Sequence, residues 1–248
     1  MTQKKYEIVI LADGDFPTHP IALERLKRAN FLVACDGAAK NLIDSGYNVG
    51  HIIGDMDTLS LTEQQKFSTI IEKIEEQESN DLSKAFHFVL KKLEEMNLND
   101  RRISLSILGA TGKREDHTIG NVSLLADYSK ELLQYSSINE FKMFTDYGYF
   151  ESHYLTSTND FSNFQRDSDL NLQGESDLKV RIVNMKGRSI SIFAFDPSIK
   201  IVSQGLEYPT DSVVFDRWWK ATLNKVKEDN ASLTLSKSGA VILYFPYE

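Results

Sequence analysis

The stretch HIIGDMDTLS, residues 51–60, sets two carboxylates one residue apart, Asp55 and Asp57, directly after a short apolar run and a glycine. Like charges that close repel, so the pair needs a compensating partner. A plain turn is the ordinary explanation, because Gly and Asp are turn residues. A divalent cation is the chemical one. Mg2+ takes oxygen ligands in octahedral geometry, commonly one or two carboxylates with water and substrate phosphates. An Asp-x-Asp pair alone does not choose between them.

LGATGKREDHTIGN, residues 108–121, offers the complement to such a cation. An apolar run ends at Gly109, a loop of small residues follows, and a helix pattern begins near Asp116. Backbone N–H groups in such a loop and at a helix start can hold phosphate oxygens. Lys113 and Arg114 add positive charge there, Arg114 as a planar fork and lysine as a point charge. The glycine spacing is not that of a Walker A loop, and no Lys-Ser or Lys-Thr pair closes it. His117 and Asn121 stand four apart and share a polar helix face. Taken alone, the segment reads as a solvated loop; beside acidic strand ends, it reads as a phosphate-binding one. In EEQESNDLSKAF, residues 75–86, Asn80 or Asp81 can cap the following helix. Lys84 shares a face with Asp81, where an exposed ion pair is worth little. The functional alternative puts Asp81 at the rim of a crevice, near metal or substrate.

These residues need elements to bring them together. The apolar runs YEIVILA, FLVAC, HII, ISLSILGA and FKMFTD alternate with helical patterns over the first 150 residues. One helix pattern runs through Leu61 and Phe67 to Ile71. Another places Leu82, Ala85, Phe86, Val89, Leu90, Leu93 and Met96 on one apolar stripe. Strands alternating with helices imply a parallel sheet covered on both faces, with its ligand crevice at the carboxyl ends of the strands. Asp13-Gly14-Asp15, Asp36-Gly37, Gly54-Asp55-Met56-Asp57 and Gly109-Ala110-Thr111-Gly112 all follow strand ends. One would be a turn; several at the same end of one sheet form a site.

The expected fold is α/β: a three-layer Rossmann-like domain with a mainly parallel sheet over residues 1–150, then a smaller all-β sandwich over 179–248. Between them, residues 151–178 are rich in Ser, Asn and Asp and read as a polar linker or insertion. In the second half KVRIVNM, SISIFAF and ASLTLSKSGAVILYF alternate as strands do, with Ser238-Gly239 as a hairpin turn.

Composition narrows the function. With 41% hydrophobic and 26% charged residues, the 248-residue chain is globular in type. A net charge of -8 disfavours an extended nucleic-acid surface. No apolar run reaches the length of a membrane span. One cysteine, Cys35, excludes an internal disulfide and fits a cytoplasmic protein.

Together CDGAAKNLID (35–44), IIGDMDTL (52–59), EQESNDLSKAF (76–86) and LGATGKREDHTIGN (108–121) resemble the thiamine pyrophosphokinase family in order and approximate separation. The second half is similar more loosely, chiefly through GLEYP (205–209). The resemblance implies a homodimer with thiamine at the subunit interface and the reaction ATP plus thiamine giving AMP plus thiamine diphosphate. It puts Asp36, Asp55, Asp57, Asp81 and Asp116 on the family's acidic positions, and Gln77, Arg114, His117 and Asn121 also match. The expected Mg2+ ligands are Asp55, Asp57 and Asp81, which with Arg114 form the catalytic group. ATP is expected at Asp36, Gly37, Thr111, Gly112, Lys113, Arg114, Asp116, His117 and Asn121. Thiamine is expected at Gln77, Asp81, Lys84, Tyr208 and Asn224. Asp36 or Asp116 contacts ribose, metal or water, and the residues do not separate these. The chain departs from the family's pattern at Lys113, at Glu76 and near Asn224. The rivals are a Mg2+-dependent phosphatase with Asp13 as nucleophile, and a non-catalytic nucleotide or thiamine sensor.

Overall fold

The computed structural model describes residues 5–76, 78–96, 98, 101–157 and 178–247. They form two compact units. The first takes the chain up to Asn121 together with Ser137–Tyr147; the second takes Val122–Ser136 and the chain from Gly148 on.

The first unit runs β1 (Tyr6–Leu11), α1 (Pro20–Arg28), β2 (Phe31–Cys35), α2 (Ala39–Asp44), β3 (His51–Gly54), α3 (Leu61–Lys66), β4 (Ile71–Lys73), α4 (Asp81–Met96), β5 (Ile103–Leu108), the start of α5 (Glu115–Glu131), and β6 (Ile138–Phe144). Its strands lie in the order β6-β5-β1-β2-β3-β4, every pair parallel. The central strands are continuous apolar runs because both their faces are covered. Ile8, Ile10, Ile52, Leu105 and Ile107 are fully buried. The predicted stripe on α4 is the buried one: Leu82, Ala85, Phe86, Val89, Leu90 and Leu93 all lie in the core.

α1 covers the opposite stretch of the sheet through charge as well as packing. Glu7, Ser104 and Glu140 are lateral neighbours on β1, β5 and β6. Arg25 of α1 donates to Glu7 at 3.1 Å and to Glu140 at 3.2 Å, and its guanidinium lies 4.8 Å from the centre of the Phe144 ring. The Ser106 hydroxyl donates to the other side of Glu7 at 2.7 Å. A buried charge is tolerable only when paired and hydrogen-bonded in this way.

One expected helix is shorter than its pattern. α3 opens on a capping box between Ser60 and Glu63 but stops at Lys66. Ile71 instead begins the edge strand β4, held by an Ile52 N–H donating to Ile70 O at 2.8 Å and an Ile74 N–H donating to Gly54 O at 2.9 Å. Phe67, Ile70 and Ile71 fit a helical period, and only pairing with β3 decides otherwise.

The second unit contains β7 (Gly148–Leu155), β8 (Lys179–Val183), β9 (Ser189–Ala194), β10 (Ile201–Gln204), β11 (Asn224–Lys225), β12 (Asn230–Leu235) and β13 (Gly239–Pro246). They make two antiparallel sheets, β11-β9-β13-β7 and β10-β12-β8. β7 extends to Leu155, so the segment expected as a polar linker from residue 151 starts inside a strand; residues 158–177 of it lie outside the described residues. The expected hairpin at Ser238-Gly239 is not one. Leu235 pairs with Ile201 in one sheet, whereas Gly239 pairs with Leu155 in the other. A Ser-Gly signal marks a tight reversal but does not say whether the strands it joins pair or cross between sheets.

Candidate active site

The acidic strand ends converge. Asp36 follows β2, and Asp55 and Asp57 follow β3. Their carboxylates each present an oxygen such that all three lie within 4.8 Å of one another. Neighbouring parallel strands end side by side, which is why residues so far apart in sequence meet.

Local backbone turns the aspartates inward. Gly54 closes β3 where any Cβ would collide with the Asp36 side chain, so only glycine permits that approach. Met56, between the two aspartates, has φ 68°, a left-handed conformation uncommon outside glycine. It is held there because its side chain is buried and because Gln64 donates from Nε2 to the carbonyls of Met56 and Leu59, both at 2.8 Å. The Thr58 N–H donates to Asp36 Oδ2 at 3.1 Å, and the Thr58 hydroxyl donates to Asp57 Oδ1 at 3.0 Å.

Asp36 is buried, and its Oδ1 has no hydrogen-bond partner among the described residues. Burial raises its pKa above the usual carboxylate range; the Thr58 N–H opposes this, and the charges of Asp57, Asp81 and Asp55 add to it. Burial likewise raises Asp81, against the hydrogen bond and charge of Lys84. Buried and surrounded by these acids, the Cys35 thiol is pushed far up and is inert.

Asp81 stands beside the cluster rather than in it. Its Oδ1 accepts from Lys84 Nζ at 3.3 Å. Asp36, not Asp81, is the third carboxylate that meets Asp55 and Asp57 at this spacing. Lys84 is 3% exposed at its side chain, not the surface lysine of the plain reading. It lines a cavity of about 370 Å³ with Glu76, Ser79, His87 and Lys91. The helix cap is Asn80, whose Oδ1 accepts from the Ser83 N–H at 2.9 Å. Gln77 lies outside the described residues.

The glycine-rich loop after β5 is knitted to the turn after β1. The Gly14 N–H donates to Gly109 O at 2.6 Å and the Asp15 N–H to Thr111 O at 2.9 Å. A Cβ on Gly14 would strike those carbonyls, and one on Gly112, which has φ 79°, would strike the Asp15 carboxylate. Asn121 is buried; it donates from Nδ2 to Ala110 O at 2.8 Å and accepts from Asn80 at 3.3 Å. It therefore anchors the loop to the start of α4. Arg114 grips Asp116 with two bonds, at 3.1 and 2.5 Å, which holds the Asp116 carboxyl down at about 2. His117 is exposed on the first turn of α5. Gly37 adjoins the cluster with the Asp13 carboxylate packed over its Cα. Asp13 is not a member of the carboxylate cluster, so nothing singles it out as a nucleophile.

In the second unit Asn224 is also occupied. Its Nδ2 donates to Tyr208 O at 2.7 Å, and its Oδ1 accepts from the Tyr208 N–H at 3.1 Å and the Lys225 N–H at 2.8 Å. Asn224 is thus a clamp on Tyr208. Tyr208 is 60% exposed and so is not a core residue. Val214, Trp218, Trp219 and Leu223 are exposed as well. Trp218 does pack, edge-on against Phe195 at 5.1 Å, while Trp219 is 70% exposed. An aromatic pair in a polar loop was the available signal.

Two family models match the sequence: thiamin pyrophosphokinase, catalytic domain, over residues 23–135, and thiamin pyrophosphokinase, substrate-binding domain, over residues 177–244. Among solved structures, the chain is similar to a thiamin pyrophosphokinase family protein from Enterococcus faecalis, with TM-score 0.67, 14% identity, and 98% of this chain and 99% of that one covered. The thiamine pyrophosphokinase of Bacillus subtilis gives 0.65 at 17% identity, covering 99% of this chain and 100% of that one. Yeast thiamin pyrophosphokinase gives 0.64 at 17% identity, covering 99% and 87%. At these identities the likeness carries the fold. Comparison with curated proteins returns no match.

Proposed function

The chain belongs to the thiamin pyrophosphokinase family, and on that premise we propose that its acidic strand ends bind Mg2+ and ATP, and that the pyrophosphoryl group passes to the hydroxyl of thiamine, with AMP leaving. The observation that carries this is the Asp36, Asp55 and Asp57 cluster, with one buried carboxylate oxygen left unpartnered. Three like charges gathered around a common point, one of them desolvated, are a poor arrangement for an empty protein and a good one for a hard divalent cation. The residues therefore fit Mg2+, with the exposed Asp57, the half-buried Asp55 and the buried Asp36 as its ligands. When bound, the ion supplies charge neutralisation on phosphate oxygens.

Pyrophosphoryl transfer asks the protein for position and charge more than for covalent help. The glycine-rich loop, fixed by Asn121 and by the turn after β1, sets the height of the phosphates above the sheet. Arg114 and Lys113 lie on that loop with exposed cationic groups and stabilise charge as the bond to the α-phosphate breaks. Asp81 and Lys84 orient the attacking alcohol at the rim. Thiamine carries a cationic ring, and the exposed Tyr208 and Trp219 are suited to stack on it. The exposed apolar side chains Tyr208, Val214, Trp219 and Leu223 are in keeping with a homodimer that has thiamine at the subunit interface. The lone buried thiol of Cys35 supports a cytoplasmic enzyme.

Incubation with ATP, Mg2+ and thiamine, followed by mass identification of products, tests the reading. AMP and thiamine diphosphate, formed only with thiamine present, are expected. Phosphate release without thiamine would point to the phosphatase, and binding without turnover to the sensor.

A further inference from the structure

Lys113 stands out in the glycine-rich loop. It has φ 52°, left-handed for a residue with a side chain, and it follows Gly112, which is left-handed too. A non-glycine residue stays in that region only when its surroundings hold it. Its holder is Asp13: Lys113 Nζ lies 2.7 Å from Asp13 Oδ1, with both side chains about half exposed. Asp13 in turn packs over Gly37, next to the Asp36 carboxylate, so it cannot swing away toward the β2 side without clearing that glycine. The backbones on both sides are pinned, by Gly14 to Gly109 and by Asp15 to Thr111. The ammonium can therefore move by side-chain rotation while the loop stays in place. Arg114, the other cation of the loop, is committed to Asp116 by a two-pronged bond.

We propose that Asp13 is a positioning residue for the nucleotide's polyphosphate: it parks the Lys113 ammonium over the site, and an arriving polyphosphate takes that ammonium from it. This rests on the reading of the site as an ATP site. A polyphosphate offers more charge and more acceptor oxygens than one carboxylate, so the exchange runs toward the ligand. Asp13 acts as an internal competitor, lowering the affinity for nucleotide while keeping Lys113 over the loop and out of the acidic cluster. The device explains why an acid that is no member of the cation cluster lies within reach of the phosphate loop.

The test is a double-mutant cycle on the full chain, reading Mg·ATP affinity by calorimetry at one ionic strength. Asp13→Asn removes the competitor and should tighten binding roughly two- to five-fold, the scale of an exposed ion pair. Lys113→Met should weaken it. In the Lys113→Met background, Asp13→Asn should lose most of its tightening effect, because the two residues then have nothing to exchange. Asp13→Glu, which keeps a carboxylate, should return the affinity toward that of the unmodified chain. In steady state, Asp13→Asn should lower KM for ATP by more than it alters kcat. Should Asp13→Asn not fold, Asp13→Ser takes its place in the cycle. Weaker or unchanged binding in Asp13→Asn, or equal tightening with and without Lys113, overturns the proposal. Failure of the unmodified chain to bind Mg·ATP at all overturns the ATP-site reading itself, and this proposal with it.

Discussion

The Thr58 N–H donates to Oδ2 of Asp36 at 3.1 Å and leaves Oδ1 of that buried carboxylate without a hydrogen bond from the described residues. One strand end thereby fixes the other: the loop after β3 orients the acid after β2, and that carboxylate belongs to the group formed with Asp55 and Asp57. A buried, half-satisfied charge costs stability and persists where function uses it.

Asp36→Asn keeps the shape and removes the charge. Turnover should fall on the order of 10²-fold or more, the scale for losing one charge-stabilising contact. The metal-free protein should melt at the same or a higher temperature, because like-charge repulsion is relieved. A thermal scan beside a rate measurement checks both. Loss of rate with a collapsed melting temperature would make Asp36 structural.

Gln64 holds the left-handed Met56 through two carbonyls. Gln64→Ala should cost about 1–2 kcal/mol in chemical denaturation. It should also reduce kcat/KM by roughly tenfold or more, since the aspartates lose their aim. The residue touches no reacting atom, so an effect on stability alone would contradict this role.

Glu140 of β6 pairs with Arg25, Lys5 and its strand neighbour Lys142. Burial would raise its pKa, yet the Lys5 hydrogen bond and the charges of Arg25 and Lys142 outweigh burial and bring it down to about 2. A carboxyl lowered in the folded state stabilises above its unfolded value, about 4.3. That stability is lost as pH falls from there through about 2. Glu140→Gln should cost about 1–2 kcal/mol at neutral pH, with part of the gain screened by solvent on its open side. It should also flatten the acid limb of the stability curve. An acid limb as steep as that of the unmodified chain would show that other carboxyls govern it.

Asn224→Ala removes the clamp on Tyr208 and leaves buried backbone groups unpaired, at roughly 1–3 kcal/mol. KM for thiamine should rise while KM for ATP holds. Equal changes in both would separate Tyr208 from thiamine binding.

Sequence patterning made the first unit legible because apolar runs and acidic ends coincide in a parallel sheet, as at Ile52-Ile53-Gly54-Asp55. It did not make legible what depends on pairing across the fold. Ile71 fits a helix stripe and becomes a strand only beside Ile52. Ser238-Gly239 signals a turn, but the partners of Leu235 and Gly239 lie in different sheets. In the site, residue types were readable and their division of labour was not. Asn121 and Asn224 carry amides suited to ligands, yet each also hydrogen-bonds within the protein, Asn121 to Ala110 O and the Asn80 amide and Asn224 to the Tyr208 backbone. Asp36 and Asp81 are equally acidic in sequence, and only burial and the position of Lys84 separate them.

Mn2+ binding in the presence of ATP, read by electron paramagnetic resonance, probes the carboxylate cluster most directly. The unmodified chain should bind the ion, and Asp36→Asn, Asp55→Asn and Asp57→Asn should each weaken it at least about tenfold, with Asp13→Asn leaving the ion in place. Undiminished Mn2+ affinity in all three cluster variants would contradict the account.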